Sequence, residues 1–290
     1  MKGWQRLWPY LLLFPFFVVF ALFIFGPVLI GGYQSLFRDR VVGGRIFVGL
    51  ANYLKVMGDE SFWEGVRRIA LFGIIFIPIT VGLALLFALA LDAGVVRWPS
   101  IFRLTFFLPF AVPGVVATLM WGFLYGPSLG PLTAMAEAAG IGHLEFLTES
   151  TMLFSIGNIT VWLYVGYNMI VLYAALKAIP GELYEAAVLD GANSWRISWH
   201  IKIPLIMPVI SVIMIFSIIG TLQLFTEPAV LRPLAPSVIG NDYVPNFYAF
   251  SLASTGQQFN YVAALSFVLA TVVLMVSVAY LLVSRRARTL

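Results

Sequence analysis

Six long stretches of this 290-residue chain contain no Asp, Glu, Lys or Arg: Leu7 to Phe37, Ile69 to Leu91, Leu104 to Ala136, Ser150 to Leu176, Ile203 to Thr226 and Tyr243 to Ser284. Each is at least as long as the ~20 residues that cross a bilayer core. Backbone amides in hydrocarbon must be paired within their own segment, so stretches of this kind become helices. The chain therefore reads as an all-α membrane protein with six transmembrane helices, placed near 9–31, 69–91, 104–125, 153–176, 205–226 and 261–283. Composition agrees, with 61% hydrophobic and 10% charged residues, where soluble domains carry about 25% charged.

Pro15, Pro27, Pro78, Pro109 and Pro113 fall inside these runs and mark expected bends. Lys2 and Arg6 precede the first run as they do in a secretory signal. Its 31 uncharged residues far exceed the ~7–15 of a signal core, so it is kept as a span. Absence of cysteine removes disulfides and thiolate metal sites and leaves the redox compartment open. The two histidines, His143 and His200, form no HExxH pair, so no metal site is expected.

With six spans both termini lie on one side. That side carries ten of the seventeen Lys and Arg residues and the other carries seven, which places both termini in the cytoplasm because flanking cations resist translocation. The cluster from Arg38 to Arg68 votes the other way. A net charge of +4 is spread along the rims of the spans rather than gathered in a stripe, so the partner it implies is membrane lipid and not nucleic acid. Arg285, Arg286 and Arg288 read as an anchor after the last span.

Residues 179–208 include a polar, glycine-broken segment between two hydrophobic runs, EAAVLDGANSWRISWHIKIPLIMP from Glu185 to Pro208. Pro180 suits a first helical turn, Glu182 and Glu185 favour its positive end, and Gly191 is free to take the left-handed backbone that stops it. Asn193 or Ser194 can cap a second short helix through Trp199, with Trp195 and Trp199 on one face and Pro204 as its limit. The result is a compact knob with small side chains at Ala186 and Ala187, suited to a groove on another protein.

This segment resembles the EAA loop of ABC importer permeases: Glu185-Ala186-Ala187, Gly191 after three further residues, then Ile201, Ile203 and Pro204. Leu183-Tyr184 before it and Asp190 and Ala192 within it fit the carbohydrate-uptake branch. YLLLFPFFVVFALFIFGPVLIGGYQSLF, FVGLANYLKV, Phe62-Trp63 and LPFAVPGVVATLMW look like the maltose-type inner-membrane permease of binding-protein-dependent transport. Two features depart from the pattern: Ser198 stands where the family often has phenylalanine, and the outer loop, 226–259, lacks a Gly-Gly-Pro.

The resemblance implies one permease domain over 1–290 in a bacterial or archaeal cytoplasmic membrane. It also implies a second permease subunit, two ATP-binding cassette subunits and an extracytoplasmic sugar-binding protein as partners. Glu185, Ala186, Ala187, Asp190 and Gly191 would couple to the ATPase. The chain has no GxxxxGK[ST] loop, so no cofactor is expected in it, ATP and Mg being bound by the partners.

Buried polar groups in a span mark a cargo path when they share a face. Thr160, Tyr164 and Tyr167 lie at i, i+4 and i+7 with Asn168 adjacent, and Ser217 and Thr221 form an i, i+4 pair. These six are the predicted substrate residues, with Gln223 and Glu227 as gate or rim; the resemblance places the same stretches along a sugar cavity. Threonine and serine hydroxyls also bond back to their own helix, which is the structural alternative. Without a mid-span cation, a neutral disaccharide or oligosaccharide fits better than a glycerol phosphate ester. The other alternative is a stand-alone secondary carrier or channel; it would need intramembrane acids or an internal repeat. A membrane enzyme finds no GxSxG motif.

Overall fold

The computed structural model describes residues 2–40, 43–126 and 130–286, with side chains described from Trp8 to Ser284. Arg288 lies outside the described residues, and for Lys2, Arg6, Arg285 and Arg286 only the backbone is described. Internal contacts divide the chain into two compact units, Met1–Phe62 with Tyr248–Val272 and Trp63–Phe247 with Val273–Leu290.

In the first unit, α1 (Lys2–Phe20) passes through a π turn (Ala21–Phe25) into α2 (Gly26–Ser35). The Gly26 N–H reaches the Ala21 carbonyl five residues back. This wide turn lies immediately before Pro27, whose ring would otherwise press on a carbonyl one turn earlier and which has no N–H to donate. A short hairpin follows, β1 (Phe37–Arg40) against β2 (Gly44–Phe47), with Asp39 opposite Arg45. It is the one strand pair among the described residues of an otherwise helical chain. After it, α3 (Ala51–Met57) supplies Asn52, whose buried amide donates to the Ser35 and Phe37 carbonyls at 2.7 and 2.8 Å. Asp59 accepts from the Tyr248 and Tyr261 hydroxyls at 2.9 and 2.5 Å.

Helix α4 (Glu60–Asp92) starts nine residues before the predicted 69, because Glu60, Glu64, Arg67 and Arg68 extend the helix beyond its apolar part. Pro78 lies within it without ending it. The predicted third span, 104–125, is corrected: it is a broken pair. Helix α5 (Pro99–Phe107) and a 3₁₀ turn (Leu108–Ala111) meet α6 (Gly114–Leu124) at a 99° bend. Pro109 and Pro113 each remove a backbone donor, and Val112 before Pro113 is held extended at ψ 128°. Neither piece alone reaches ~20 residues.

Beyond α7 (Pro131–Ala138), α8 (Met152–Lys177) matches its predicted span closely and packs against α5, α6 and α11 (Ile203–Leu222). It is also the most internal of the apolar helices, with 44% of its span window buried against none for the first span. Gly166 allows this closeness, since a Cβ there would overlap the Phe106 carbonyl. Between α8 and α11 lie α9 (Glu182–Leu189) and α10 (Ser194–Ile197). The remaining helices are α12 (Thr226–Leu231), α13 (Pro245–Ser254) and α14 (Phe259–Arg286). Among the described residues five helices are long and apolar enough to cross a membrane, six if the bent pair counts as one span.

A second expectation is corrected at Pro204. It does not end the helix begun at Ser194; α10 continues through a π turn, Ser198–Lys202, directly into α11. The Ile203 N–H donates to the Ser198 carbonyl, the same wide-turn accommodation seen before Pro27. The second half of the knob, α10, and the fifth span are thus one continuous helical rod.

Candidate functional site

Two sites emerge in the second unit, a cavity and the α9–α10 elbow. The cavity has a volume of about 570 Å³, inside the ~300–1,000 Å³ range of small-molecule sites. Thr160, Tyr164, Tyr167, Asn168, Ser217, Thr221, Gln223 and Glu227 all line it. Four come from the middle of α8 and two from α11. Gln223 and Glu227 follow where α11 ends and α12 begins.

Reasoning from spacing missed the rest of the wall. Phe72, Phe76 and Thr80 enter from α4, and Phe110 enters from the 3₁₀ turn of the broken pair. Phe110 stacks on Tyr167 with ring centroids 4.5 Å apart and meets Tyr164 edge-on at 6.1 Å. The proline-rich LPFAVP stretch signalled a break, but only folding shows that it turns an aromatic ring into the cavity. Asn168 is buried, whereas Tyr164 and Tyr167 are 45% and 41% exposed, which leaves ring surface for a ligand. The Thr160 hydroxyl donates to the Ile156 carbonyl at 3.1 Å, the back-bonded alternative, with its oxygen still able to accept.

Glu227 is 8% exposed. Among the described residues it is the sole charged side chain lining the cavity. The cavity thus joins aromatic faces, hydroxyls and amides with one acid and no cation.

At the elbow, α9 ends where Gly191 takes φ +79°. The Gly191 N–H bonds the Val188 carbonyl at 3.0 Å and the Ala192 N–H bonds the Ala187 carbonyl at 2.9 Å, a Schellman stop. Asn193 then caps α10, its side-chain oxygen accepting from the Arg196 N–H at 2.9 Å. Trp195 and Trp199 stack with centroids 6.0 Å apart. Glu185, Ala186 and Asp190 are exposed and Ala187 is half-buried. Leu189 is 88% exposed beside them.

Behind the elbow lies an ionic cluster that the spacing of residues did not reveal. Asp92 at the end of α4 receives Lys177 at 2.9 Å and Lys202 at 2.5 Å. The Lys202 ammonium also sits 4.9 Å from the centre of the Tyr184 ring on α9. Burial, and then the Asp92 carboxylate, push the Tyr184 hydroxyl above the usual tyrosine range, with Lys177 opposing. A lone acid and two lone lysines at the ends of separate runs were the available signal.

The family described as binding-protein-dependent transport system inner membrane component matches residues 5–289. The chain is 31% identical over 284 residues to the probable ABC transporter permease protein YurN of Bacillus subtilis, covering 96% of this chain and 95% of that protein. It is 34% identical over 205 residues to the sn-glycerol-3-phosphate transport system permease protein UgpA of Agrobacterium fabrum, covering 70% of each. A crystal structure of a bacterial ABC transporter involved in the import of the acidic polysaccharide alginate superposes with TM-score 0.86, 23% identity and 98% of both chains covered. The chain belongs to the binding-protein-dependent transport system inner membrane component family. It is a multi-pass membrane permease subunit of an ABC importer with the fold of such permeases, and ATP hydrolysis resides in separate subunits. Family membership sets aside the stand-alone carrier or channel.

Proposed function

We propose that this subunit accepts a neutral disaccharide or oligosaccharide from an extracytoplasmic sugar-binding protein and passes it inward by alternating access. The cavity lining carries the reading. Phe110, Tyr164 and Tyr167 offer rings for the apolar face of a pyranose, while Asn168, Gln223, Ser217 and Thr221 offer groups for its hydroxyl rim. The cavity has no Lys, Arg or His among its described lining residues, so the phosphate ester implied by the UgpA relative and the acidic polymer of the alginate importer would find no cationic partner there.

In this reading a second permease completes the pathway, and two ATPase subunits bind ATP and Mg. The elbow, with Glu185, Ala186, Ala187, Asp190 and Gly191, sits in a cleft of an ATPase subunit. Both termini and residues 179–208 are cytoplasmic, and 226–259 faces the delivering protein, as the excess of cations on the terminal side supports. Closure of the ATPase pair moves the elbow, and the helices it belongs to turn from inward-open to outward-open.

The test is transport by the assembled complex in proteoliposomes with each cargo class offered in turn. Neutral disaccharides should be carried, and glycerol 3-phosphate and uronate oligosaccharides should not. Preferred uptake of either anion would overturn the assignment.

A further inference from the structure

We propose that Asp92, Lys177 and Lys202 form a pin that fastens the elbow to the cargo-lining helices, so that displacement of α9 reaches the cavity as one rigid movement. The proposal rests on the coupling role given to α9 above and adds the part that transmits it. Asp92 ends α4, Lys177 ends α8, and Lys202 closes the π turn before α11. These are three of the helices that line the cavity, through Phe72, Phe76 and Thr80, through Thr160 to Asn168, and through Ser217 and Thr221. One carboxylate therefore joins the three at their elbow-side ends.

The pin is placed where its charges cannot simply dissolve into water. The Asp92 and Lys202 side chains are 5% and 11% exposed, and Lys177 is 53% exposed. Separating the buried pair would leave a charge without its partner, so the two ends move together. Tyr184 extends the fastening to α9 itself, its ring against Lys202 and its hydroxyl buried with no hydrogen-bond partner among the described residues.

Beyond the pin, a continuous apolar column carries movement inward. Leu91, Leu176 and Ile206 belong to one buried cluster with Val81, Met169, Ile77 and Ile213, and the last two line the cavity. Close-packed side chains transmit displacement because they have no room to absorb it. The π turn contributes by keeping Lys202 on the same rod as Ser217 and Thr221 in spite of Pro204.

The experiment uses the whole complex in proteoliposomes and measures cargo moved per ATP hydrolysed. Asp92→Asn and Lys202→Gln should each keep cargo-independent ATP hydrolysis and co-purification of all subunits, while cargo per ATP falls about fivefold or more. Lys202→Arg, which keeps a cation for both Asp92 and the Tyr184 ring, should hold the ratio well above that of Lys202→Gln, which a merely local packing defect would not predict. Should the buried variants fail to assemble, Lys177→Gln removes the exposed partner and should lower the ratio in the same direction. Asp92→Asn and Lys202→Gln variants with the parental ratio would overturn the pin, as would an assembled Lys202→Arg variant with a ratio no better than that of Lys202→Gln. A cysteine pair joining α9 to an ATPase chain in the unaltered complex reads the foundation separately. No crosslink there would sink the coupling role, whereas a crosslink with unchanged ratios would sink the pin alone.

Discussion

Replacing Gly191 isolates backbone conformation from packing. Its φ is +79°, and a Cβ added there meets nothing within 4 Å in this chain, so within the subunit the cost of an added Cβ is one of backbone conformation. Left-handed backbone costs an ordinary L-residue about 1–2 kcal/mol, and a β-branched residue is a genuine outlier there. The turn can escape only by giving up the two stop bonds at 3.0 and 2.9 Å, each worth about 0.5–1.5 kcal/mol. Either route is comparable to the ~1–3 kcal/mol typical of coupling between sites. Gly191→Val should therefore remove most transport per ATP and Gly191→Ala should cut it about tenfold. Gly191→Asn should stay near the parental value, since asparagine tolerates this conformation. The assay is cargo uptake against ATP hydrolysis in proteoliposomes, with co-purification as the control for assembly. Equal ratios for valine and asparagine, or full uptake with valine, would refute a role for this turn in coupling.

Other expected outcomes bear on the cavity, the core and the cap. Tyr164→Ala should abolish uptake with all subunits still co-purifying, because it removes a ring surface facing the cavity; unchanged cargo affinity and flux would move the site elsewhere. Gly166→Ala should lower the melting temperature in detergent, since the obstacle is the Phe106 carbonyl rather than a side chain that can swing away, and overpacking costs about 1–3 kcal/mol. Asn193→Ala loses the cap on Arg196 and should destabilise the elbow by about 1 kcal/mol, read as faster hydrogen exchange in residues 194–197 with little change in the spans.

The number of apolar runs, their helical state and the stop at Gly191 were legible in the amino-acid order because each follows from local chemistry. Uncharged length demands a helix, and glycine alone enters the left-handed region freely. The face shared by Thr160, Tyr164, Tyr167 and Asn168 was legible for the same reason, a helical period within one run. Prolines were read less well. Pro109 and Pro113 break their span outright, whereas Pro27 and Pro204 are absorbed by π turns, a choice that depends on whether the preceding turn has room to widen.

What the sequence by itself determined, then, was a membrane-spanning helical chain with a stopped and restarted elbow. Tertiary structure decided which runs meet: that Phe110 turns toward Tyr167, that Glu227 enters a cavity free of cations among its described lining residues, and that Asp92 finds Lys177 and Lys202. Spacing along one helix is fixed by its 3.6-residue turn. The pairing of residues 85 and 110 positions apart depends on how close glycines such as Gly157, where a Cβ would overlap the Phe76 ring of α4, let the helices come, and no local period encodes that.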